Sequence, residues 1–334
     1  MPSLAQAIDQ RGATADNLIE NAILSIALGH PEYALDLLAE AEALNADNAE
    51  LWTVKAEALA DLKRHDESIV AVDQAITIKP DDLKAWIGRG IALSNLKRYE
   101  AALTAYDQAI ELAPNNATAW NNRGVALANL KRYEAALTTY DQAIELDPNY
   151  ATAWNNRGST LTELERYLEA LIAYDKAVEL VPNSAIAWIH RGNTLAKLER
   201  YLEALTAYDK AIELNPDSAI AWTGRGAALG TLKRNLEALT AYDKAIELDP
   251  NYVIAWDGRG TVRWNLKHYQ EALIAYDKAI ELNPDYTIAW TGRSDTLERL
   301  GHYDEALVAV NEALRIDPDY TYAQDLRRLI LQKL

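Results

Sequence analysis

Residues 117–150 read ATAWNNRGVALANLKRYEAALTTYDQAIELDPNY, and the same pattern recurs along nearly the whole chain. Trp120 belongs to the series Trp52, Trp86, Trp120, Trp154, Trp188, Trp222, Trp256 and Trp290, each 34 residues after the last. Pro148 belongs to Pro80, Pro114, Pro148, Pro182, Pro216, Pro250, Pro284 and Pro318, with the same step. A fixed period of 34 residues predicts stacked pairs of helices.

Within the unit, Trp120, Gly124 and Leu127 fall on one face of a first helix. Leu130, Lys131, Arg132 and Tyr133 make a short turn. A second apolar series follows at Ala136, Leu137, Tyr140, Ala143 and Ile144. Pro148 has no N–H to continue the ladder and ends it, and Asn149 is expected to cap the next helix. Gly124, Ala136 and Ala143 leave room for close approach, with Trp120 and Tyr140 as the large side chains set against them. A glycine inside a helix costs about 0.5–1 kcal/mol against alanine, so its place here implies a packing role.

Composition narrows the function. The 334 residues are 49% apolar and 25% charged, with no cysteine and a net charge of −17. Without cysteine there is neither disulfide nor thiolate chemistry, which fits a cytoplasmic setting. The start, MPSLAQAIDQRGATADN, shows no secretory pattern, and no apolar run is long enough to cross a bilayer. The acidity argues against nucleic acid or an anionic membrane as partner. Residues 1–82 alone carry 16 acidic and 5 basic side chains, readable as a surface for a basic partner or as a solvated face.

Trp120, Gly124, Ala136, Tyr140, Ala143 and Pro148 resemble the signature of the tetratricopeptide repeat (TPR) family. The resemblance implies an all-α fold, a right-handed superhelical α-solenoid of helix-turn-helix repeats whose first helices line a concave face. Nine repeats are expected, at 15–48, 49–82, 83–116, 117–150, 151–184, 185–218, 219–252, 253–286 and 287–320, the first divergent with Leu18 for Trp and Ala46 for Pro. Residues 1–14 form a lead-in, and 321–334 (TYAQDLRRLILQKL) form a C-terminal capping helix. Gly29 and Gly301 sit in the turn where the family often has glycine. Lys63, Lys97, Lys131, Glu165, Glu199, Lys233 and Lys267 take that slot elsewhere, each costing about 1 kcal/mol if the slot is left-handed.

An arginine three residues after the tryptophan recurs as Arg89, Arg123, Arg157, Arg191, Arg225, Arg259 and Arg293. The second helices of the same repeats offer Asp107, Asp141, Asp175, Asp209, Asp243 and Asp277, with Lys55 facing Asp73. This reads as a structural Arg–Asp ladder, or otherwise as a ligand site.

By the family's geometry the concave face is lined by slots around the tryptophan. In the middle repeats these hold Asn121, Asn122, Asn155, Asn156, His190 and Asn193. A row of amides can bracket a peptide backbone, resembling the asparagine ladder of larger TPR proteins, or be a solvated polar face. Two before the tryptophan stand Ile186, Ile220, Ile254 and Ile288, an apolar binding stripe if exposed or inter-repeat packing if not. Trp264 is outside the periodic series, and Arg263 beside it displaces an expected leucine. The pair has the composition of a binding hot spot, against a local repacking.

The five histidines show no ligand spacing, so no metal and no cofactor is expected. The Gly-Arg-Gly triplets at 88–90, 224–226 and 258–260 lie inside helices and mark packing, not a phosphate loop. Only Lys84 matches the cations of the clamp by which some TPR proteins hold chaperone tails. The expectation is therefore a non-enzymatic scaffold, monomeric or weakly homo-oligomeric, that binds protein or peptide in its groove. The alternative is a structural subunit that self-associates through repeat ends or the apolar stripe.

Overall fold

The computed structural model describes residues 14–334 and contains only helices there. Helices pair across short turns: Ala15–Ala27 with Pro31–Leu44, Ala49–Asp61 with His65–Ile78, Leu83–Asn95 with Tyr99–Leu112, and Ala117–Asn129 with Tyr133–Leu146. Ala151–Glu163 closes a first compact unit, which ends at Glu165. The second unit begins at Arg166 and opens with Tyr167–Leu180. It continues through Ala185–Lys197 with Tyr201–Leu214, Ala219–Thr231 with Asn235–Leu248, Val253–Asn265 with Tyr269–Leu282, and Thr287–Leu300 with Tyr303–Ile316. Thr321–Leu331 ends the chain. The expected lead-in lies outside the described residues except for Thr14, whose hydroxyl accepts from the Asn17 amide.

The turn between paired helices is a Schellman motif. The Lys63 amide donates to Ala60 O and the Arg64 amide to Leu59 O, at 2.9 and 2.8 Å, which satisfies two carbonyls at the helix end. The motif requires a left-handed residue. Lys63, Lys97, Lys131, Glu165, Glu199, Lys233 and Lys267 all adopt it, with φ between 57° and 63°. Gly29 and Gly301 do so at φ 80° without the steric penalty.

Capping of the first helices follows the residue just before them. Asn48, Asp82, Asn116, Ser184 and Ser218 accept backbone N–H bonds through their side chains. Asn149 does not cap as expected. Tyr150 occupies the cap position with no side-chain bond, and the Asn149 amide donates to Asp147 Oδ1. Tyr252 and Tyr286, in the same position, make no side-chain cap bond either and pack, partly buried, against the core.

Tyr208, Tyr242 and Tyr276 on the second helices are each seated between two glycines. A Cβ on Gly192 would lie 2.7 Å from the Tyr208 ring, and one on Gly224, from the next pair, 2.5 Å from it. The glycines are thus fixed by contact with one ring from both sides. The tryptophans do a second job. Each indole N–H of the eight periodic tryptophans donates to a carbonyl six residues earlier, as in Trp120 to Pro114 O at 2.8 Å and Trp256 to Pro250 O at 2.9 Å, tying the first helix to the loop before it. In the last helix Gln324 replaces the indole with an amide, donating to Pro318 O at 2.7 Å. Ala323, Leu326 and Ile330 of that helix are buried, and Lys333 pairs with the buried Glu298.

The Arg–Asp ladder exists in a different register from the expected one. Arg123 meets Asp107 at 2.6 Å and Arg259 meets Asp243 at 2.7 Å, so each arginine reaches the second helix of the preceding pair, not its own. Lys55 pairs with Glu42 and leaves Asp73 to Arg89. The reach is geometric: the arginine follows the tryptophan by three residues and points across the interface to the pair before it. The aspartates are half exposed, which limits each pair to roughly 0.2–1 kcal/mol.

Candidate functional site

Within each unit, successive first helices touch one another, while successive second helices make no comparable contact among the described residues. The first helices are the more closely spaced side. Within each unit their outward slots form a wall, and the sequence-predicted site residues divide into three groups.

The asparagines of the first unit are bonded to each other. Asn156 Nδ2 donates to Asn121 Oδ1 at 3.0 Å, and Asn121 Nδ2 donates to Asn122 Oδ1 at 3.2 Å. The relay crosses from the helix Ala151–Glu163 to the helix Ala117–Asn129. Asn121 is 3% exposed and works inside the wall. Asn122, Asn155 and Asn156 are half-buried beside it. In the second unit Asn193 is exposed and accepts the Tyr208 hydroxyl at 2.8 Å. The His190 ring tilts on Tyr174 with centroids 5.5 Å apart, and burial pushes its pKa below the ordinary imidazole value, favouring the neutral ring.

The isoleucines at the slot two before the tryptophan are surface residues. Ile186, Ile220, Ile254 and Ile288 are 64%, 53%, 49% and 49% exposed, so inter-repeat packing does not consume them.

Trp264 and Arg263 separate. The Arg263 guanidinium turns to the second helix of its own pair, 2.8 Å from Glu271 and 3.3 Å from His268 Nδ1, and does not accompany the indole. Trp264 packs edge-on to Tyr269 at 6.5 Å, and Arg299 lies over its ring at 5.7 Å. Its indole N–H is buried without a hydrogen-bond acceptor.

Trp264 lines a pocket of about 250 Å³ with Asp257, Thr261, Tyr276, Ile288, Asp295 and Tyr322. Asp257 is its most unusual group. Its Oδ1 is sealed from solvent and has no hydrogen-bond partner. Burial pushes its pKa up to about 7, because the charged form loses its hydration and receives nothing in return. Asp295 is also raised by burial, opposed by the Tyr322 hydroxyl that it accepts at 2.8 Å and by Arg299 at 3.9 Å. Tyr276 and Thr261 share a hydroxyl bond at 3.2 Å.

Asp257 and Asp295 lie outside the residues that the repeat spacing predicts for the site, although Asp257 carries a signal in the sequence. The slot one after the tryptophan holds Thr53, Ile87, Asn121, Asn155, Ile189, Thr223 and Thr291, all neutral, and only Asp257 is acidic. A second such feature lies on the second helices, where Leu168, Leu202 and Leu236 recur at one slot and are 66%, 66% and 74% exposed. Among the described residues no group of three or more His, Cys, Asp or Glu is arranged to hold a metal ion, and no helix is long and apolar enough to cross a membrane.

No curated protein matches the chain. Among solved structures it is similar to YrrB, described as a TPR protein with an unusual peptide-binding site, at 30% identity over 56% of this chain and 96% of that one, with TM-score 0.48. It is similar in fold to a chain of the APC/C hetero-tetramer Cut9–Hcn1, at 17% identity over 95% of this chain and 63% of that one, with TM-score 0.62. A tetratricopeptide repeat protein from Parabacteroides merdae is 19% identical over 75% of this chain and 98% of that one, with TM-score 0.61. The model of the tetratricopeptide repeat matches residues 20–82, 87–151, 132–185, 190–253 and 258–321. With paired helices throughout and that model spanning most of its length, the chain belongs to the tetratricopeptide repeat family.

Proposed function

We propose that this protein is a non-enzymatic protein-interaction scaffold that holds an extended peptide or a partner helix in a groove along its first helices. On this reading the nine 34-residue intervals from 15 to 320 are its repeats and 321–334 its cap. Family membership supports a protein-binding role, and a composition without cysteine supports a cytoplasmic setting. The observation that carries the proposal is the exposure of Ile186, Ile220, Ile254 and Ile288. Four isoleucines at one slot of adjoining helices form a periodic apolar stripe, the kind of surface that marks recognition when left uncovered. His190, Asn193 and Trp264 supply polar and aromatic contacts beside the stripe in the second unit, and Asn122, Asn155 and Asn156 supply polar contacts on the first helices of the first unit. Asn121 and Arg263 act from behind, by holding Asn156 and Glu271.

The test is selection of 12-residue peptides on the full chain by phage display, then measurement of their affinity for the double variant Ile220→Glu/Ile254→Glu. A loss of about tenfold or more is expected, with unchanged helical circular dichroism. Undiminished binding to that variant would move the site off this wall.

One observation favours the self-association reading. Leu168, Leu202 and Leu236 leave apolar surface on the second helices that no described contact covers. Light scattering over a hundredfold concentration range decides it: a constant monomer mass sinks the assembly reading and leaves the scaffold intact.

A further inference from the structure

We infer that the pocket around Asp257 is a subsite for one cationic side chain, the ammonium of lysine or the guanidinium of arginine, on the peptide that lies along the wall. This deepens the scaffold reading and rests on it. At about 250 Å³ the pocket is smaller than the roughly 300–1,000 Å³ of a site for a whole small ligand, and suits a single side chain.

The chemistry of the lining selects the cation. Asp257 Oδ1 is buried and bonds nothing, an arrangement that is costly unless an incoming group supplies the missing donors. A primary ammonium carries three donors and a guanidinium five. An apolar side chain in the same space would leave the carboxylate unpaired. An anion would meet Asp257 and Asp295 together.

The aromatic lining agrees. Trp264, Tyr276, Tyr320 and Tyr322 surround the cavity, and ring faces attract cations. Arg299 already uses the outer part of this system, over Trp264 and 3.9 Å from Asp295, but makes no ion pair with Asp257. The resident cation therefore neutralises one acid of the pocket and leaves the other uncompensated. The Trp264 indole N–H, also buried and unbonded, offers a donor for a carbonyl of the peptide backbone next to that side chain. At longer range, the net charge of −17 draws a basic segment towards the protein.

The experiment uses the full chain labelled with ¹⁵N at its tryptophans and follows the Trp264 indole N–H resonance. Three probes are titrated at pH 8: the acetyl-lysine, acetyl-arginine and acetyl-norleucine N-methylamides. The lysine or arginine probe should shift the Trp264 signal in a saturable way, at least about tenfold more tightly than norleucine, and Asp257→Asn should abolish the preference. Equal response to norleucine, or a preference that survives in Asp257→Asn, overturns the assignment. Asp295→Asn is the second variant. Its acid is already paired, so it should weaken the lysine probe less than Asp257→Asn does, and the reverse order also overturns the assignment.

Peptide binding separates this inference from the scaffold reading. Peptides that bind the wall with no preference for lysine or arginine opposite Trp264 sink the subsite and spare the scaffold. A saturable lysine response with no peptide bound anywhere spares the subsite and sinks the scaffold.

Discussion

The asparagine face of the first unit and the Asp257 pocket of the second use the same slots to opposite ends. Asn121 and Asp257 both stand one residue after the repeat tryptophan, and both are largely buried. Asn121 gives and takes one hydrogen bond each within the wall. Asp257 has an oxygen that takes none. A buried polar group that is satisfied internally serves the fold, whereas one left unsatisfied is a standing cost that binding can remove. The contrast separates structural from functional polarity at one position of one repeat, and it makes the two substitutions differ in sign.

Asp257→Asn should have the largest effect, and should stabilise. A carboxyl with a folded pKa of about 7 against an unfolded value near 4 binds its proton more tightly in the native state. Its contribution is therefore intact at pH 4 and is lost as pH rises towards and through 7. The full swing is on the order of 4 kcal/mol. The groups facing it are Tyr242, Tyr276 and Tyr286, all raised above the ordinary phenol range chiefly by burial and neutral across this window. Asparagine removes the charge but keeps a polar atom in place, so we expect a gain of about 2–3 kcal/mol at pH 8 and little at pH 4. Hydrogen exchange of the helix Val253–Asn265 at both pH values reads this locally. Destabilisation at pH 8 would mean that Asp257 has an internal role like that of Asn121.

Asn121→Ala is the mirror experiment. It strips Asn156 Nδ2 of its acceptor and Asn122 Oδ1 of its donor, and should destabilise the first unit by about 1–3 kcal/mol. The loss should appear as faster exchange in the helices Ala117–Asn129 and Ala151–Glu163. Faster exchange confined to the helix that carries the change would show that the relay does not couple neighbouring repeats.

The contrast also marks what was readable before the structure. The period of 34 residues specified paired helices, because the tryptophans, glycines and prolines answer to local packing and chain-breaking rules that each repeat obeys alone. The partners of polar side chains were not readable in the same way. Arg123 was expected on the aspartate of its own repeat and meets Asp107 of the preceding one, since a 34-residue period makes the two choices identical in spacing pattern. Asn121 was grouped with groove residues because a slot number does not say whether an amide points along the wall or into it. Arg263 and Trp264 are adjacent in sequence, and successive helical residues point about 100° apart, which sends one to Glu271 and the other into the pocket. Asp257 is legible in the sequence as an acid in a slot otherwise neutral.

The smallest effect tests whether the two regions can be compared at all. Lys97 in the first unit and Lys233 in the second occupy the same left-handed turn position, with φ of 59° and 58°, and the same pair of Schellman hydrogen bonds. Replacing either with glycine relieves the steric cost of a Cβ in that conformation, about 1 kcal/mol. Part of the gain is lost to the greater freedom of glycine in the unfolded chain. Both Lys97→Gly and Lys233→Gly should therefore stabilise their own unit by about 0.5 kcal/mol, read as slower exchange in the helices on either side of the turn. Because both changes touch only a solvent-facing turn, their gains should match. If they do, a loss at Asn121 and a gain at Asp257 lie on one scale and their opposite signs belong to the side chains. Unequal gains would show that the two units report local stability differently, and the sign contrast would then have to be measured within a single unit, at Thr291, whose hydroxyl donates to Thr287 O at 2.8 Å, and Asp257.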